Sequence, residues 1–184
     1  MTSSSSTPKV RNGWLNAYIG LVACLAAGLT VLVWNMQPYL VAPGKLTYVT
    51  VFAVLLFIGE TRGAWFRFGD GGEVTPGWAF AFSIVLLGSP VVAIAAMAVC
   101  TILVDLRERK AASRVVFKAS QITASLAAGA CVLQLFGLTK PLTEAGRPST
   151  GFALAMLLAG ALVFTSNGFL TCVVLAIHYK TSVR

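Results

Sequence analysis

The chain has 184 residues, 57% hydrophobic and 11% charged, with a formal net charge of +8 and a mean hydropathy of +0.82. An ordinary soluble domain carries roughly a quarter charged residues, so the composition excludes a soluble globular domain and implies an integral membrane protein. The positive charge does not imply nucleic acid, because the basic residues form no separate domain and sit at the ends of apolar runs.

Residues 1–13, MTSSSSTPKVRNG, are polar and read as a flexible cytoplasmic tail. A helix of about 20 uncharged residues crosses the hydrocarbon core of about 30 Å, and Trp14 to Trp34 is the first such run. It is longer than a signal-peptide core and ends without a clear small-residue cleavage pattern, so it is expected to be retained. Pro43, Gly44 and Lys45 break the chain before a second apolar run, Leu46 to Gly59. The stretch RFGDGGEVTPGWAFAF then places Arg67, Asp70, Glu73 and four glycines between apolar segments. Asp70-Gly71 is a tight-turn signal, and Phe66 and Phe68 before it with Val74 after it predict a very short hairpin. Thr75 is expected as a helix N-cap with Pro76 at the first helical position. The uncharged run Pro76 to Val104 is too long for one span, and Gly88-Ser89-Pro90 divides it into two short helices, 76–88 and 90–106. Ala119 to Thr139 and Pro148 to Ile177 complete an all-α, six-helix membrane bundle. Residues 14–179 form one membrane domain, and 180–184 a cytoplasmic end or the start of a linker.

Charge sets the orientation. With the N-terminus in the cytoplasm, the inner segments hold Lys9, Arg11, Arg62, Arg67, Arg107, Arg109, Lys110, Arg114, Lys118, Lys180 and Arg184, against Lys45, Lys140 and Arg147 outside. This asymmetry predicts a multi-pass protein of the cell membrane with both termini cytoplasmic. It holds whether the helices 76–88 and 90–106 cross fully or form a re-entrant pair. Trp14, Trp34, Trp65 and Trp78 all fall near predicted boundaries, where an aromatic belt is expected.

Chemistry-bearing patterns are few. There is no phosphate-cradling glycine motif, and Asp70 with Glu73 lacks the ligand repeat of a calcium loop. The single His178 has no carboxylate or cysteine at ligand spacing, and Cys24, Cys100, Cys131 and Cys172 lie inside predicted helices as packing residues. No catalytic, cofactor-binding or metal-ligating set is expected, and charged residues are expected only near the membrane rims. Glu60, Arg62, Arg67, Asp70 and Glu73 form a charged cytoplasmic apron: either a solvated turn with local ion pairs or a surface for a partner domain. Inside the bundle, Arg114, Lys118, Gln121, Ser125 and Gly129 share one helical face, as do Gly160, Asn167, Thr171 and His178 on the last helix. Counted from Arg114 and His178, Gln121 falls level with Thr171 at a depth of about 10 Å, and Ser125 level with Asn167. These four residues are either an interhelical polar contact or the lining of a site for a small-molecule or lipid ligand.

Three passages, LFIGETRGAWFRFGDGGEVTPGWAFAFSIVLLGSP, ILVDLRERKAASRVVFKASQITASLAAG and LVFTSNGFLTCVVLAIH, resemble the N-terminal membrane sensor (MASE-like) region of actinobacterial cyclic-di-GMP signalling proteins. The likeness covers about residues 46 to 178. It implies a non-catalytic input module preceding a cytoplasmic GGDEF/EAL or HD-type output domain, and it assigns no ligand to particular residues. The chain departs from such proteins in carrying no GGDEF, EAL or HD motif, and GDGGEV lacks the GGDEF order. A rival class is the substrate-binding component of an energy-coupling-factor vitamin transporter, which meets its partner through small residues such as Gly20, Ala23, Cys24, Ala27 and Gly28. A third is a membrane assembly subunit with no ligand. A homodimer fits any of them.

Overall fold

A computed structural model describes residues 11–36, 41, 44–61, 66–68, 72–74, 76–136 and 150–182. The strand residues, positions 11 and 12, and positions 178–182 are described by their backbone alone. The elements in chain order are α1 (Arg11–Met36), α2 (Leu46–Thr61), β1 (Phe66–Phe68), β2 (Gly72–Val74), α3 (Gly77–Leu86), α4 (Pro90–Arg107), α5 (Ala112–Leu135) and α6 (Thr150–Ser182). The six-helix expectation holds. Helices α1, α4, α5 and α6 are long and apolar enough to cross a membrane, while α2 and α3 are shorter and apolar.

Boundaries differ from the sequence reading in an informative way. Charge ends a hydrophobic run but not a helix, since Lys and Arg are good helix formers whose heads reach the interface. Thus α1 begins at Arg11 rather than Trp14, and α5 begins at Ala112, carrying Arg114 and Lys118 within it. The first short helix runs from Gly77 to Leu86 and not 76–88: Pro76 occupies the N-cap position, its carbonyl accepting from Ala79 N–H at 3.1 Å. The expected Thr75 cap lies outside the described residues.

The break at Gly88-Ser89-Pro90 is as sequence chemistry requires. Gly88 has φ +79°, Gly88 N–H donates to Val85 O, and Ser89 N–H donates to Ile84 O. That pattern closes a helix with a left-handed residue, a position glycine adopts without penalty. Pro90 then opens α4, where its missing donor costs nothing. The end of α4 uses the same pattern with Arg109, at φ +55°, in the left-handed position. Arg109 N–H donates to Leu106 O and Lys110 N–H to Asp105 O.

The expected hairpin is formed at the backbone level. Strands β1 and β2 are antiparallel, with Phe66 opposite Val74, Arg67 opposite Glu73 and Phe68 opposite Gly72. Asp70 and Gly71 lie outside the described residues.

Helix α5 is central, packing against α1, α4 and α6, while α2, α3 and α4 form a second group. Lipid supplies no hydrophobic drive between helices, so close packing of small residues must hold the bundle together. The core accordingly contains Ala81, Ala93, Ala127, Ala130, Ala155 and Ala159 beside fully buried Leu56, Ile84, Met97 and Leu126. At Gly129 a Cβ would lie 2.5 Å from Val163 Cγ2 and 3.3 Å from Ala159 O, so only glycine admits α6 at this distance. Outward faces are apolar: Leu21, Leu25 and Val31 on α1, Val51, Val54 and Phe57 on α2, and Leu157, Phe164 and Phe169 on α6 are all exposed. Apolar surface on this scale suits lipid, not water.

One end of the bundle gathers the start of α1, the end of α2, the starts of α3 and α5, and the ends of α4 and α6. Tyr18 stacks near Phe117 and bonds to Leu170, Gly77 lies against Glu60, and Lys118 reaches Asp105. Arg107, Arg109, Lys110, Arg114 and Lys118 cluster there, and we call it the basic end.

Candidate functional site

Two polar groups lie near the basic end. The first joins α1, α5 and α6. Gln121 enters it because a helical period carries Gln121, Ser125 and Gly129 along the face of α5 that α6 covers. Gln121 Nε2 stands 2.6 Å from Thr171 Oγ1, 2.7 Å from Asn167 Oδ1 and 2.8 Å from Asn167 O. An amide nitrogen carries two hydrogens, so three acceptors share two donors. The Thr171 hydroxyl donates in turn to Asn167 O at 2.9 Å. From α1, Tyr18 OH donates to Leu170 O at 3.1 Å, and its ring lies 6.0 Å from that of Phe117. Residues 167–171 of α6 are therefore tied to two other helices within little more than one turn.

The expected pair Gln121–Thr171 is formed; Ser125–Asn167 is not. Asn167 is engaged by Gln121, whose longer side chain reaches two turns of α6. Ser125 is fully buried with no partner on its hydroxyl among the described residues. The register explains this. Gly129 meets Ala159 and Val163, which sets Ser125 between the levels of Val163 and Asn167 rather than opposite Asn167.

The second group centres on Asp105, which the sequence reading placed at the end of the helix 90–106, near the membrane rim, without foreseeing its burial. Helix α4 continues through it, and its side chain is fully buried. Asp105 Oδ1 accepts from Lys110 Nζ at 2.7 Å and faces Lys118 Nζ at 3.4 Å, and Lys110 also pairs with Glu108 at 2.7 Å. Burial alone would lower the Lys110 pKa, but the hydrogen bonds to Asp105 and Glu108 outweigh it and hold the ammonium above its ordinary 10.5. Asp105 Oδ2 and, one turn deeper, the buried Thr101 Oγ1 have no partner among the described residues. Other helix hydroxyls here bond back to the carbonyl four residues earlier: Thr30, Thr50, Thr61, Ser83, Thr165 and Thr171 at 2.7–2.9 Å. Thr101 and Ser125 depart from that habit. The available signal was the spacing, since Ala93, Met97, Thr101 and Asp105 recur every four residues on one buried stripe.

The charged apron is partly corrected. Glu60 is not a solvent-facing loop residue: it lies in the last turn of α2 with 4% of its surface exposed. A Cβ on Gly77 would meet the Glu60 carboxylate and lie 2.8 Å from its Cγ. The carboxylate thus covers the first turn of α3, where the helix dipole favours negative charge. Arg67 and Glu73 oppose each other across the hairpin, while Arg62 and Asp70 lie outside the described residues.

Among the described residues no group of three or more His, Cys, Asp or Glu converges. The cysteines are free, with Cys24 and Cys172 exposed and Cys100 buried. Gly20, Cys24, Ala27 and Gly28 lie on the exposed side of α1, and Ala23 is half-buried. No protein-family model, curated protein or solved structure matches this chain.

Proposed function

We propose that the chain is a membrane-embedded, non-catalytic input module of a bacterial signalling protein, seated in the cell membrane with its basic end in the cytoplasm. In this reading it regulates cyclic-di-GMP turnover by a GGDEF/EAL or HD-type output domain. The class comes from the resemblance carried by residues 46 to 178. The observation that carries a mechanism is the polar junction on α6. A signal is transmitted only if it favours one arrangement of the transmitting element over another, and α6 suits that role. It runs unbroken for 33 residues, about 50 Å, which exceeds the about 30 Å hydrocarbon core. It is tied to α5 through Gln121 and to α1 through Tyr18 near its exit from the basic end. A stimulus that reorders those bonds would shift or rotate the last turns of α6.

The test joins the chain after Lys180 to a diguanylate cyclase domain through a helical connector. One inserted residue rotates the output by about 100°, and seven inserted residues return it to within about 20°. The expected result is a several-fold change in cyclase activity with one residue and recovery with seven. Activity indifferent to both insertions would remove α6 as the transmitting element.

A further inference from the structure

Between the ends of α2 and α4, at the basic end, lies a half-open groove of about 570 Å³ lined by Phe57, Thr61, Leu103, Val104, Arg107 and Glu108. Phe57 and Leu103 are about half exposed, so its walls are apolar and open sideways to lipid. The Thr61 hydroxyl is already bonded to Phe57 O at 2.7 Å, and Glu108 is paired with Lys110 at 2.7 Å. Arg107 differs, since no hydrogen bond or ion pair reaches its guanidinium among the described residues. An apolar channel capped by a guanidinium with no partner among the described residues, at a membrane rim, complements one class of molecule. We infer that this groove binds an anionic phospholipid.

The acyl chain lies along Phe57, Leu103 and Val104, and the phosphate accepts from Arg107. Guanidinium suits this role because its planar fork offers two parallel donors to a phosphate, and the volume lies within the 300–1,000 Å³ range of ligand sites. Because the groove spans α2 and α4, a bound lipid bridges the two helices and would favour the arrangement that holds them together. The site does not depend on the signalling reading.

The test places the full chain in phosphatidylcholine nanodiscs doped with phosphatidylglycerol and counts retained lipids by native mass spectrometry. We expect about one retained phosphatidylglycerol per chain. Arg107→Gln should weaken retention about tenfold, the loss of one charge-assisted contact. Leu103→Trp, which fills the groove and leaves Arg107 in place, should abolish it. Arg114→Gln, at an exposed basic position outside the groove, should leave it unchanged. Equal retention of the two lipids, or equal effects of Arg107→Gln and Arg114→Gln, would overturn the site in favour of diffuse attraction to the basic end. Retention only after residues 66–74 are replaced by a glycine-serine linker would overturn it too, by making the chain's own hairpin the occupant.

Discussion

Gln121 sits where water does not compete for its hydrogen bonds, so its bonds to α6 have few alternatives and little solvent exchange. Interhelical bonds of this kind average about 0.6 kcal/mol and reach about 1.7. A double-mutant cycle of Gln121→Leu and Thr171→Val should return a coupling inside that range by reversible unfolding in detergent, and strictly additive effects would remove the contact. Thr101 poses the opposite case. Its hydroxyl is buried without a partner among the described residues and without the back-bond its counterparts make. Thr101→Val keeps the branched shape and removes an unsatisfied group, so it should stabilise by about 1 kcal/mol and raise the unfolding midpoint by about 2–4 °C. A lowered midpoint would mean that the hydroxyl has a partner in the membrane.

At the scale of the helices, α5 and α6 approach at Gly129, and the polar junction depends on that approach. Gly129→Ala forces its methyl against Val163 and the Ala159 carbonyl and should cost about 1–3 kcal/mol. Gly160→Ala is the control on α6, where a Cβ would meet nothing within 4 Å. There the better helix former should be neutral or stabilising by up to about 1 kcal/mol. Equal losses at both sites would contradict the packing. These contacts also mark how far sequence carries. Helix number, the Gly88-Ser89-Pro90 break, the presence of a short hairpin and the Gln121–Thr171 pair were legible, because each follows from local chemistry or helical period. Ser125–Asn167 was not legible, because register between two helices is set by where glycine lets them touch, and counting from charged ends missed that offset. The burial of Asp105 and Glu60 was missed for a related reason. Charge in a sequence marks the end of an apolar run, whereas burial of that charge depends on partners the fold brings to it, here Lys110 from the α4–α5 connection and Lys118 from α5 for one, and the first turn of α3 for the other.

For the whole molecule, the arrangement of ends is the feature on which the proposed function rests. The contacts among Tyr18, Glu60, Gly77, Asp105, Phe117, Lys118 and Leu170 bring six helix ends to one side. The surplus of Lys and Arg there argues for the cytoplasm, where, in the proposed function, α6 would lead into an output domain. The direct test is side-specific labelling of single cysteines at Arg109 and Thr150, in a chain whose Cys24, Cys100, Cys131 and Cys172 are replaced by alanine or serine. Position 109 should react with a membrane-impermeant maleimide only after the membrane is opened, and position 150 should react in intact spheroplasts. Labelling of position 109 from outside, with protection at 150, would reverse the orientation and contradict the proposed function.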